Sequence, residues 1–152
     1  MNIIDLLKEK NYSIATAESL TAGLVGSNIC RNSGASSVYK GGVISYTKEA
    51  KCSLLGLNML DIEKYNVYSH QTALSMAKGV KKLVDSTCAI ATSGVAGPGS
   101  DEGVEEGTVF LAYIIAEKEY TECVKFSGMR NEIRELAAKH AVERFVELLK
   151  NN

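Results

Sequence analysis

What is scarce in these 152 residues excludes more than what is abundant. Only one proline, Pro98, is present, and no repeat or low-complexity stretch interrupts the chain, so linker material is scant and a single domain is expected over 1–152. Charge of one sign is lacking too: 17 Lys and Arg face 18 Asp and Glu, for a net charge of −1. Such a balance supplies no broad basic field. It argues against a nucleic-acid partner and against an anionic-membrane surface, while a small basic pocket stays open. No apolar run nears the roughly 20 residues that cross a bilayer. The opening segment "MNIIDLLKEKN" interleaves charges with its apolar residues, unlike a signal peptide, so a soluble, cytoplasmic protein is expected. Cys30, Cys52, Cys88 and Cys123 form no CxxC pair and have no histidine cluster beside them. That speaks against zinc and for buried or half-buried free thiols. Histidine is scarcer still, with His70 and His140 alone, so a Ser-His-Asp arrangement is poorly supplied.

What is there alternates between helix and strand signals. Apolar residues at 3, 4, 6 and 7 predict a short helix ending near Asn11, and "SIATA" (13–17) predicts a strand. Residues 21–31 read as a buried helix, and "GGVISYT" (41–47) as a strand carrying Tyr46. Helical turns follow in "KEAKCSLLGL" and "DIEKY". The clearest helical period lies at 69–85, with Ser69 as N-cap and Ala73, Met76, Ala77, Val80, Leu83 and Val84 on its apolar face. "TCAIATSG" (87–94) is a buried strand, and 95–107, with four glycines, is a loop. A hairpin turning near Lys118 and an amphipathic helix over 131–150, with Ile133, Leu136, Ala137, Ala141, Phe145 and Leu148 inward, complete the chain. This order predicts an α/β fold, a three-layer α/β/α sandwich with a mixed, mostly parallel sheet, since the hairpin must be antiparallel.

Sites in open α/β sheets gather at the carboxyl ends of strands, and three polar segments stand there: "AESLTAG", "SYTKEAK" and "TSGVAGPG". Ser19 reads two ways. It is a helix N-cap, or it is a nucleophile whose developing charge the helix start would stabilise, with Ala22 and Gly23 admitting a substrate to the backbone. Lys51 also reads two ways. Buried, its amine becomes a neutral base within reach of Ser19 and Tyr46; exposed, "KEAK" is a solvated helix start. Arg130 and Arg134, four apart near a helix start, fit a phosphate clamp or an ordinary surface pair with Glu132 and Glu135. His140 reads as a helix-surface residue, while His70, at a helix start, reads as structural or as facing a site. Asp101, Glu102, Glu105 and Glu106 read as solvated loop acids, and no metal constellation is visible.

Taken together, "TAESLTAGL", "GASSVYKGGVISYTKEAKCSLLGL", "ATSGVAGPGSDEGVEEGTV" and "FSGMRNEIR" resemble the CinA C-terminal domain family, which includes nicotinamide mononucleotide deamidases. The resemblance spans about residues 5–149. It implies hydrolysis of the carboxamide of a small pyridine mononucleotide, without cofactor or metal, with Ser19 as nucleophile, Lys51 as base and Tyr46 assisting proton transfer. The substrate contacts it implies are Glu18, Thr21 and Gly23 after the first strand and Gly42 on the second. Thr92, Ser93, Gly94, Ala96, Gly97 and Thr108 would serve around the glycine-rich loop, with Arg130 and Arg134 near the last helix. A homodimer fits the resemblance. Three segments depart from the family pattern: "ESLTAG" for "ESCTGG", "VEEGTV" for "KPVGTV" and "GMR" for "GDR". The altered loop motivates a second expectation, a non-catalytic nucleotide-binding or partner-docking module of the same fold. No segment resembles the molybdopterin-binding-like domain of longer relatives, so the pyrophosphatase activity associated with that half is not expected of these residues.

Overall fold

The computed structural model describes all residues from 1 to 152. Helix α1 (Ile3–Lys10) leads into strand β1 (Ile14–Glu18), then α2 (Leu24–Cys30), a 3-10 turn at Ala35–Ser37, and β2 (Tyr39–Ile44). Helices α3 (Lys48–Leu55), α4 (Met59–Tyr65) and α5 (His70–Val84) precede β3 (Cys88–Gly94). The hairpin β4 (Thr108–Ile115) and β5 (Lys118–Lys125) comes before the long α6 (Arg130–Lys150).

The five strands form one sheet in the order β2-β1-β3-β4-β5. β1 pairs in parallel with β2 and β3, whereas β3-β4 and β4-β5 are antiparallel, so the sheet is mixed and only β4 runs against the rest. Alternation along each strand divides the core between two faces. Ile14, Cys88, Ile90, Val109, Leu111 and Tyr113 meet Ile4 and Leu7 of α1, Ile29 of α2 and Phe145 of α6 on one face. The other face is nearly all alanine, with Ala15, Ala17, Ala89, Ala91 and Ala112 under Ala73, Met76, Ala77 and Val80 of α5. Small side chains there let α5 lie close to the sheet. Gly79 brings α5 equally close to α3: a Cβ at this position would stand 2.3 Å from the Leu55 carbonyl oxygen. The helix that carries Lys51 is therefore fixed, backbone against backbone, on a helix that is itself pressed to the sheet.

Several boundaries differ from the sequence expectation, each for a local reason. The second helix begins at Leu24, not at 21, because Ala22 (φ 43°) and Gly23 (φ 99°) occupy the left-handed region and hold an open turn. The second strand spans Tyr39–Ile44, so Tyr46 lies two residues beyond it. The two glycines that look like strand breakers sit inside it, and a Cβ on Gly42 would stand 2.4 Å from Thr16 Oγ1. Leu83 and Leu136 are not core residues; they are 57% and 43% exposed. Of the thiols expected to be covered, Cys88 is buried and Cys52 half-buried, but Cys30 and Cys123 are exposed on α2 and on edge strand β5. No helix is long and apolar enough to cross a membrane.

Candidate active site

Glu18 closes β1 in register with Ile44 of β2 and Thr92 of β3. The loops after these three parallel strands therefore leave the sheet side by side. Ser19 stands first on the loop after β1, only 5% exposed, with its amide donating to the Thr92 carbonyl (3.2 Å). Beyond β2, the Thr47 hydroxyl caps α3 by accepting from the Ala50 amide, and the first turn of α3 aims Lys51 back across the strand ends. Lys51 is 1% exposed and makes no ion pair. Its Nζ lies 3.0 Å from Ser19 Oγ and donates to the Ser45 carbonyl at 2.7 Å. Burial without a carboxylate partner disfavours the ammonium and pulls the pKa down from 10.5 to about 8. As a neutral amine, Lys51 donates to Ser45 and offers its lone pair to the Ser19 hydroxyl. The Ser45 hydroxyl next to this anchor is the one buried side-chain oxygen in the chain without a hydrogen-bond partner.

Ser19 is not the helix cap that its position suggests. That work falls to Glu18, which is 2% exposed and has no cation beside it. Its Oε1 accepts from the Thr21 hydroxyl (2.7 Å) and from the Gly23 (3.1 Å) and Val25 (2.8 Å) amides, while Oε2 accepts from the Gly26 amide (3.0 Å). A buried carboxylate is tolerated there because four donors, three of them free amides at the start of α2, replace its water. Thr21 Oγ1 also meets Thr92 Oγ1 at 2.8 Å, which joins the turn to β3. The Glu18–Gly23 turn that presents Ser19 is held from beneath.

A cavity of about 340 Å³ opens over Ser19 and is walled by Leu20, Tyr46, Tyr68, Arg130 and the segment 94–101. Arg130 donates from Nη2 to the Tyr46 hydroxyl at 2.7 Å and from Nη1 to the Gly97 carbonyl, so the guanidinium bridges two walls. Tyr46 is 52% exposed and has no bond to Ser19 or Lys51; it belongs to the rim. Across the same space the Tyr68 hydroxyl donates to Asp101 Oδ2 at 2.6 Å. A larger groove, about 760 Å³, runs between α2 and α6, but its polar lining (Ser27, Asn28, Arg31, Glu135, Lys139, Glu143) holds no buried base. The buried amine and hydroxyl stand at the smaller space.

Of the residues expected at the site, Ser19, Tyr46, Gly94, Ala96, Gly97 and Arg130 line the cavity, with Lys51 directly behind Ser19. The others lie elsewhere. Glu18, Thr21 and Gly23 build the turn, Gly42 closes the β1-β2 contact, and Thr92 braces Thr21. Ser93 is buried and donates to the Val67 carbonyl (2.8 Å), and the Thr108 carbonyl accepts from the Val95 amide (3.0 Å). Arg134 donates from Nε to the Leu20 carbonyl (2.7 Å) and from Nη1 to Asn131, so its guanidinium supports the turn and does not reach the cavity. His70 bonds Thr121 and packs edge-on to Phe110, and His140 bonds Glu122, both remote from Ser19. Tyr68 and Asp101 give no sequence signal as site residues; only the path of the loop brings them together.

The comparisons with known proteins bear on family and fold. A family model described as the CinA C-terminal domain matches residues 1–149. A competence-damage inducible protein of Shouchella clausii is 43% identical over 147 residues, covering 96% of this chain and 35% of the relative. A CinA-like protein of Flavobacterium psychrophilum is 40% identical over 148 residues, with 96% and 35% covered. The chain thus spans about a third of the length of these curated relatives. Among solved structures, a CinA superfamily protein from Klebsiella pneumoniae superposes with a TM-score of 0.93 at 27% identity, over 97% of this chain and 93% of that one. Another from Escherichia coli gives 0.92 at 30% identity, over 95% and 84%. With the family model running almost end to end, the chain belongs to the CinA C-terminal domain family.

Proposed function

We propose that this chain hydrolyses a primary carboxamide, that of nicotinamide mononucleotide, to the carboxylate and ammonia. The single observation that carries the reading is the buried pair: an amine without an ionic partner 3.0 Å from a hydroxyl that opens into a cavity. Lys51 takes the proton of Ser19 as Oγ bonds to the carboxamide carbon. The carbonyl oxygen becomes an oxyanion. The Ser19 and Val95 amides are already donating, to Thr92 and Thr108. Among the other residues that line the cavity, Leu20, Tyr46, Ala96, Gly97, Gly99 and Ser100 have backbone amides with no acceptor in the protein. The oxyanion draws its donors from this set, Leu20 being adjacent in sequence to Ser19. The tetrahedral intermediate then breaks its C–N bond, and the proton held by Lys51 leaves with the nitrogen as ammonia. Water, deprotonated by the same amine, hydrolyses the Ser19 ester and frees the hydroxyl. Arg130 supplies the one cation on the cavity wall, suited to a phosphate, and Tyr46 holds it while keeping its own hydroxyl hydrogen for the ligand.

The test is ammonia release from nicotinamide mononucleotide by purified protein, with Ser19→Ala beside it. The variant should lose at least about 10³-fold in kcat/KM. Release that survives in Ser19→Ala, or its absence from the unaltered protein, removes the reading. The second reading, a nucleotide-binding module without turnover, is favoured if the nucleotide raises Tm while no ammonia appears.

A further inference from the structure

We infer that Asp101, oriented by Tyr68, accepts hydrogen bonds from the vicinal hydroxyls of the substrate's sugar and so makes this chain selective for a ribose-bearing amide. The inference rests on the proposed amide hydrolysis for the identity of the ligand, but its evidence is separate.

Three observations carry it. First, Asp101 and Tyr68 line the same cavity as Ser19 and Arg130, so a ligand that fills it meets all four. Second, the pair is asymmetric. The phenol has one hydrogen and gives it to Asp101 Oδ2 (2.6 Å), while Oδ1 receives no hydrogen bond from the protein. Partial burial and the Asp101 charge push the Tyr68 phenol well above its usual pKa, so it remains a donor at every working pH. The bond restrains the exposed carboxylate and leaves Oδ1, on a residue that lines the cavity, without a donor from the protein. Third, the position is built. Asp101 and Val104 exchange both backbone hydrogen bonds (2.9 and 2.8 Å). The adjacent Glu102 is tied twice outside the cavity, by Lys48 Nζ of α3 on its carboxylate (2.8 Å) and by Asn66 Nδ2, ahead of α5, on its carbonyl (3.0 Å). An acid merely solvated on a loop would need none of this.

The ligand chemistry follows by matching acceptors and donors. Arg130 suits an anionic group and the Ser19–Lys51 pair suits a carboxamide. A carboxylate in the same space repels a phosphate and accepts only from donors. In a pyridine mononucleotide the remaining donors are the two ring hydroxyls of the sugar.

The experiment is isothermal titration calorimetry in the Ser19→Ala background, which blocks turnover, with nicotinamide mononucleotide and its 2′,3′-dideoxy analogue as probes. Asp101→Asn is the informative variant, because the amide oxygen still accepts from Tyr68 while an NH₂ replaces the free acceptor. Losing hydrogen bonds to a charged group should weaken the ribose ligand about tenfold or more, and should leave the dideoxy ligand within about twofold. Tyr68→Phe should weaken the ribose ligand by a smaller factor, again selectively. Equal losses on both ligands would mean that the pair only latches the loop, and no loss on either would mean that it touches nothing; each overturns the inference. The parent reading fails separately. If the unaltered protein releases no ammonia yet the two ligands are discriminated through Asp101, the hydrolase falls and the diol contact stands. If ammonia is released but Asp101→Asn treats the ligands alike, only the diol contact falls. If neither ligand binds, both fall.

Discussion

The lowered pKa of Lys51 can be read out twice, once in rate and once in stability. In rate, the proposed reaction needs the neutral amine to remove the Ser19 proton. With a pKa of about 8, the neutral fraction rises roughly ninetyfold from pH 6 to pH 9, so kcat/KM should climb with near unit slope and level off above 8. In stability, the sign follows from the direction of the shift. The folded state holds the Lys51 proton less tightly than the unfolded chain, whose lysine titrates at 10.5. Folding is penalised wherever both states are protonated, and the penalty is relieved as pH rises through 8 toward 10.5. Between pH 7 and pH 10 the relief integrates to roughly 2–3 kcal/mol. Other groups titrate in that window, so the measurement is a difference: denaturant unfolding of the unaltered protein against Lys51→Met at each pH. The unaltered protein should gain on the variant by that amount, and the variant should lose about 10³-fold or more in ammonia release. A flat rate profile across pH 6–9, or two stability curves that stay parallel, would mean that the amine is not a desolvated base.

Glu18→Gln sets an amide NH₂ against the Gly26 N–H or against the other donors, so the buried turn should lose about 2–4 kcal/mol in denaturant unfolding; a loss under 0.5 kcal/mol would deny Glu18 its clamping role. Arg130→Ala removes the cavity's cation and should raise KM for the mononucleotide roughly tenfold or more with a smaller effect on kcat, while leaving turnover of the phosphate-free nucleoside unchanged. An equal loss on the nucleoside would show that Arg130 serves the wall and not the phosphate.

How much was legible in the chain depends on whether a residue acts through its neighbours in sequence or through distant ones. The strand-helix alternation, the hairpin and the approach of Lys51 to Ser19 follow from periodicity, loop placement and the resemblance of whole segments. Glu18 was expected at the substrate and lies beneath the turn, because four donors from 21–26 converge on it only once Ala22 and Gly23 adopt left-handed conformations. The second strand was expected over 41–47 and spans Tyr39–Ile44, so its first two residues, ahead of the glycine pair, were missed and its last three lie in the loop. Tyr46 was expected beside the serine, but Arg130, 84 residues on, holds its hydroxyl at the rim. Arg134 shares the helix with Arg130 and was paired with it; one turn further on, it meets the Leu20 carbonyl instead. Tyr68 and Asp101 carried no pattern at all, because a loop residue's partner is set by the fold of the loop.

The reversal of a single strand also shapes how this domain can change. Because β4 starts beside the end of β3, with Val109 opposite Gly94, residues 95–107 depart from and return to the same place on the sheet. Lengthening, shortening or recoding the outer part of that excursion, 98–106, shifts no strand register and repacks no layer, whereas Val95 and Ala96 are buried. The scaffold can therefore keep Ser19 and Lys51 in place while an engineer retunes which small molecule reaches them by rewriting nine consecutive positions.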